Sequence, residues 1–168
     1  MVKPLQQWRD GDTLSIDRLL PMPAPTSAPA IALRVLSVCM GVFLLAMGLD
    51  KLSWLTDTNG LTVQLDEWLT RATPWNRWYI ETVARPGAPV FARLVLIGEL
   101  ASGAALLAGY RVRLAAAVAL FMVLNFHFAF GALLQLAYLK NGYGPPIIGG
   151  LLALAIGGAR LPFSLRRP

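Results

Sequence analysis

One acid, one amide and one imidazole stand where polarity is otherwise missing from this sequence. Glu99 lies about ten residues into an apolar stretch of about twenty, long enough to cross a bilayer. Asn125 and His127 lie about halfway along the next apolar stretch. Ionisable groups within hydrocarbon cost a few kcal/mol each unless paired, so they mark either interhelical glue or a functional site. An acid at that depth needs a proton or a cationic partner. A protonatable carboxyl and an imidazole beside aromatic side chains suit a ligand with hydrogen-bond-accepting carbonyls, and a quinone ring is one.

The spacing of these groups limits how they combine. Asn125 and His127 are two residues apart and point to different helix faces, so only one of them is expected to face Glu99. His127 shares its face with Gly131 and Gln135, and Asn125 shares its own with Phe121 and Phe128. Asp50 and Lys51 close the first apolar stretch while Arg93 enters the second, which predicts an interhelical polar group with an Asp50–Arg93 ion pair. Arg93 and Glu99 are too far round one helix to pair with each other. Trp54, Trp68, Trp75 and Trp78 fall in one region, as a belt at headgroup depth or as the mouth of a lipophilic ligand site lined by Trp54.

The rest of the composition excludes several other chemistries. A single cysteine, Cys39, and a single histidine rule out an internal disulfide, a CxxC pair, a Cys/His zinc cluster and a bis-His haem. No metal site, no intrinsic cofactor and no self-contained catalytic site is expected, so any redox role must use a bound organic molecule or a partner subunit. Apolar residues make up 56% of the 168, charged residues only 14%, and mean hydropathy is +0.56, whereas a soluble domain carries about 25% charge. The net charge of +6 forms no continuous stripe, so topological bias explains it better than nucleic-acid binding.

The elements that must position these side chains are helices. Four apolar stretches, at about 30–55, 89–109, 114–138 and 146–161, predict an all-α integral membrane bundle of four transmembrane helices over residues 30–165. Leu61, Leu65, Trp68 and Leu69 recur at helical spacing between the first and second, which predicts a short amphipathic helix in the interface. Gly98/Ser102, Ala101/Ala105 and Ala104/Ala108 are small pairs four apart that let helices approach closely. Residues 1–29 read as a Pro-rich extension, with five prolines from Pro4 to Pro29 and no secretory signal pattern.

Orientation follows from the basic residues. Four crossings place Lys3, Arg9, Arg18, Arg34, Arg111, Arg113, Arg160, Arg166 and Arg167 on one side, with three acids, so this side carries the whole net charge. The positive-inside rule makes that side cytoplasmic, with both termini there, in a bacterial-type inner membrane.

Several segments together carry a family resemblance. Gly48-Leu-Asp-Lys-Leu52, Gly98-Glu-Leu100 leading to Gly109, Arg113-Leu-Ala115 and the last hairpin from Asn141-Gly142 to Gly157-Gly-Ala-Arg160 resemble the DoxX/DoxD family over about residues 31–165. The resemblance implies a small four-helix membrane protein associated with quinone-linked redox systems, with Asp50, Lys51, Glu99 and Arg113 at the matching positions. The Pro-rich extension and the final Leu161-Pro-Phe-Ser-Leu-Arg-Arg-Pro168 depart from the family pattern. Two functional readings follow. The chain is a quinone-interacting subunit of an oxidoreductase, with Glu99 and His127 near the headgroup, or a non-catalytic accessory subunit that packs on a larger membrane complex through residues 1–28.

Overall fold

In a computed structural model the chain is described over residues 27–165, and every element among those residues is helical. Six α-helices are present: α1 (Ala28–Leu49), α2 (Asn59–Leu69), α3 (Pro74–Tyr79), α4 (Ala88–Ala108), α5 (Val112–Ala129) and α6 (Pro145–Gly157). Prolines in the first turn start α1, α3, α4 and α6, where the missing N–H is no loss and the fixed φ suits the helix. α1, α4 and α5 are long and apolar enough to cross a membrane, whereas α6 has only 13 residues. The extension expected over residues 1–29, with a docking role for 1–28, and Arg166 and Arg167 fall largely or wholly outside the described residues; Ala28 and Pro29 already belong to α1.

The four longer apolar helices close into a ring in the order α1, α4, α5, α6, with α6 returning to α1. Neighbours run antiparallel: Gly41 meets Gly103 and Leu107, Gly48 meets Leu100, and Gly157 meets Leu33. The start of α1, the α4–α5 turn and the end of α6 therefore share one end, the terminal end. At the opposite end α2, α3 and a π-helical stretch, Ile80–Ala84, fold into a cap over the first half of α4.

Two apolar cores result. Leu44, Leu106, Ala116, Ala119, Leu151 and Leu154 fill the ring, while Trp54, Leu61, Leu65, Ile80, Ala88 and Ala92 fill the cap. The amphipathic pattern of α2 is thus explained by Leu61 and Leu65 packing inward, with Asp66, Glu67 and Arg71 exposed.

Helix ends differ from the expected boundaries for identifiable reasons. α1 stops at Leu49, and a 3-10 turn, Leu52–Leu55, carries the chain sideways into the cap. α5 stops at Ala129, nine residues before the predicted 138, because Gly131 takes the left-handed conformation (φ 77) and two 3-10 turns, Ala132–Leu134 and Leu136–Lys140, follow. α4 ends as expected, at Gly109 (φ 71), with Tyr110 N–H donating to Ala105 O at 2.8 Å. α3 and the π stretch went unread because their six and five residues give no periodic signal.

Cations secure the terminal end. Arg34 donates to the carbonyls of Leu106 (3.0 Å) and Leu107 (2.8 Å), and Ser37 Oγ donates to Leu106 O at 2.7 Å. Arg113 Nε donates to Ala155 O at 3.0 Å, near the end of α6. Each guanidinium lies at the negative end of a neighbouring helix, and there it donates to carbonyls of the last turn.

Candidate functional site: a charged cavity between two cores

Where α4 passes from the cap core into the ring core, packing leaves a cavity of about 330 Å³. Its polar lining is Lys51, Gln64, Glu99, His127 and Asn141, and its aromatic walls are Phe43, Trp68, Phe126, Phe130 and Tyr143. A few convergent polar groups in an aromatic pocket of this size match what small organic ligands occupy.

Glu99 is fixed on α4 and is only 9% exposed. Lys51 Nζ donates to both of its carboxylate oxygens, at 3.0 and 2.9 Å, and to Met47 O at 2.9 Å. The chain can deliver Lys51 there because α1 has just ended and the residue after Asp50 turns back over the ring. Glu99 lies level with the C-terminal end of α1, where Gly48 packs on Leu100. The first turns of α4 belong to the cap core, which sets the middle of this helix against the end of α1.

His127 reaches the same cavity from α5. Its Nδ1 shares a hydrogen bond with the Tyr138 hydroxyl at 2.8 Å, and the rings meet edge to face with centroids 5.3 Å apart. One ring nitrogen is thereby oriented by protein. The other has no protein partner among the described residues.

Of the other residues singled out from the sequence, Asn125 faces away from Glu99, as the two-residue spacing requires. Its Nδ2 donates to Tyr79 Oη at 2.6 Å, on the cap side of α5. Trp54 is 5% exposed and sits in the cap core against Gly60, outside the cavity lining, with Lys51 Nζ 5.8 Å from its ring centroid. The Asp50–Arg93 pair is not among the ion pairs of the described residues. Arg93 donates instead to Leu55 O (3.2 Å) and Pro89 O (2.6 Å), Asp50 ends α1 on the surface, and the interhelical ion pair is Lys51–Glu99.

Sequence reasoning missed Tyr138, Asn141 and Tyr143, and held Trp68 only as one of four tryptophans at a rim. Trp68 carried a signal, since it lies on the apolar face of α2 with Leu61 and Leu65. In the fold it wedges between Phe126 of α5 and Phe130 just after that helix, at centroid distances of 5.9 and 5.7 Å. Asn141 and Tyr143 come from the turn before α6, and no local pattern ties that turn to Glu99.

Among the described residues no group of three or more His, Cys, Asp or Glu is placed to hold a metal ion. Donor chemistry at the cavity fits an organic ligand instead: an imidazole and two amides face π-surfaces beside a closed ion pair, an arrangement for hydrogen-bond acceptors on a flat ring.

The DoxX family model matches residues 31–132, which covers α1 through the first residue after Gly131 and includes Lys51, Trp68, Glu99 and His127. No curated protein and no solved structure matches the chain.

Proposed function

The chain belongs to the DoxX family, and from that premise we propose that it is a multi-pass subunit of a quinone-linked oxidoreductase or respiratory system that binds a quinone headgroup in the Lys51–Glu99 cavity. In this reading α6 makes a fourth crossing, the terminal end faces the cytoplasm of a bacterial-type inner membrane, and the cap faces outward. The observation that carries the reading is the aromatic cavity of about 330 Å³ holding one buried ion pair and one imidazole.

The residues divide the work by chemistry. Lys51 supplies positive charge beside a carbonyl oxygen, since its three N–H groups are taken by Glu99 and by Met47 O at the cavity floor. His127, held by Tyr138, offers a second polar contact. A bound quinone supplies two-electron, two-proton carbonyl chemistry, with electrons from a partner subunit. The residues that can exchange protons beside it are Glu99 and His127.

Purification in mild detergent followed by solvent extraction tests the reading. About one quinone per chain is expected, lost in Glu99→Gln and in Met47→Trp, which fills the cavity. A wild-type chain that carries no quinone and binds none when it is added sinks the proposal.

One observation favours the accessory-subunit reading. On the outward face of α6 a side chain at Gly149 would meet nothing within 4 Å, and Leu152, Ala153 and Ile156 are exposed, a surface on which another helix can pack. Co-purification of a stoichiometric membrane partner, released by Ala153→Trp, is the expected result. Under this reading quinone is absent while the partner is present.

A further inference from the structure

The aromatic wall of the cavity has a second pocket behind it. A space of about 140 Å³ is lined by Glu67, Arg71 and Gln135 together with Trp68 and Phe130, and those two aromatic residues also line the Lys51–Glu99 cavity. Two rings with centroids 5.7 Å apart are therefore shared by a polar pocket on one side and a charged, mostly apolar cavity on the other. Glu67 is exposed on α2, Arg71 just after it, and Gln135 between the two 3-10 turns, so the polar pocket belongs to the cap surface.

Neither aromatic residue is among the fully buried members of the two cores. Phe130 is the residue after the last turn of α5 and is 42% exposed. It precedes Gly131, whose left-handed φ of 77 ends the helix. Nearby backbone is anchored independently, because Asn76 Nδ2 donates to Phe128 O at 2.6 Å. Trp68 is part-buried and contacts Phe126 and Phe130 edge to face, whereas Leu61 and Leu65 carry the burial of α2.

We propose that Trp68 and Phe130 form the aqueous gate of the Lys51–Glu99 cavity, and that the pocket lined by Glu67, Arg71 and Gln135 is the port through which water and protons reach the ion pair from the cap end. A ligand with a long apolar tail takes the lateral route between helices. Small polar species take the port. The gate rests on the quinone reading only for the purpose of the protons it admits; water access to the cavity is independent of which ligand sits there.

Cysteine accessibility in the full-length protein tests this. In a Cys39→Ser background, Met122→Cys places a thiol in the cavity lining, and a charged, membrane-impermeant methanethiosulfonate reports access from water. Trp68→Ala is expected to speed labelling about tenfold, equivalent to about 1.4 kcal/mol of gate closure, from the cap face only. Phe130→Ala acts likewise, and Trp68→Phe leaves labelling slow. A thiol introduced by Ser37→Cys, in the fully buried ring core, must stay unlabelled in the same variants, which separates gate opening from unfolding. A rate unchanged in both alanine variants, or a rise equal from both faces, overturns the gate. Quinone absent with labelling accelerated leaves the port standing and removes the quinone; quinone bound with labelling unchanged does the reverse.

Discussion

Gly41 and Gly103 meet backbone to backbone across the α1–α4 crossing: a Cβ on Gly41 would lie 2.9 Å from Gly103 O, and a Cβ on Gly103 would lie 3.0 Å from Gly41 O. Backbone, unlike a flexible side-chain tip, cannot swing aside. The crossing holds the two helices that carry Lys51 and Glu99 at a separation the ion pair can span.

Gly41→Ala or Gly103→Ala should therefore force α1 and α4 apart and lower stability by about 1–3 kcal/mol, the usual cost of overpacking. Gly149→Ala is the control, because nothing lies within 4 Å of its added methyl. Thermal unfolding in detergent should show large losses in the first two and little change in the third. Equal behaviour of all three would contradict the close crossing.

Breaking the Lys51–Glu99 pair leaves an uncompensated group in a site where the two side chains are 12% and 11% exposed. Lys51→Met or Glu99→Gln should each cost about 3 kcal/mol, while Lys51→Met combined with Glu99→Leu should cost less than the sum, because two apolar side chains replace two desolvated charges. A double-mutant cycle in chemical denaturation measures this. Strict additivity would show that the two groups do not interact.

Arg34 and Ser37 converge on one carbonyl, Leu106 O, with a second Arg34 bond to Leu107 O. Arg34→Ala should cost about 1.5–3 kcal/mol, as hydrogen bonds from a charged donor do, and Ser37→Ala about 1 kcal/mol. Amide exchange at the end of α4 should accelerate more in Arg34→Ala than at the cap. An unaffected α4 terminus would show that water replaces the guanidinium without loss.

Asn76 ties the cap to α5 and is 1% exposed, with its Nδ2 on Phe128 O and Thr73 Oγ1 donating to its Oδ1. Asn76→Leu removes those bonds and strands buried polar atoms, at about 1–3 kcal/mol. Limited proteolysis should then cut within residues 56–88 before the ring helices. Wild-type resistance there would show that the cap core alone holds α2 and α3.

How much of this was legible depended on whether the signal was local. The bounds of α4 could be read from Pro89 and Gly109, and the inward face of α2 from Leu61 and Leu65. Glu99 and His127 stood out by chemistry alone. The partner of Glu99 was hidden because the 38-residue connection from Asp50 to Gly87 leaves the register of α1 against α4 undetermined until both are folded. Asp50 and Arg93 looked suited on formal charge, yet the turn after Leu49 directs Lys51, not Asp50, toward α4. The close face of α1, with Ser37, Gly41 and Gly48 buried, did carry a readable spacing of small residues. Trp68 had to wait for the fold, since its role comes from two phenylalanines on a helix more than fifty residues later.

The order of Lys51 and Glu99 along the chain matters during synthesis. The ammonium is made 48 residues before the carboxylate, so α1 has emerged from the ribosome, with Lys51 at its trailing end, before α4 begins to appear. A helix carrying a lone acid enters lipid poorly; in a chain that crosses a bilayer, this order sets the counter-charge in place before α4 arrives.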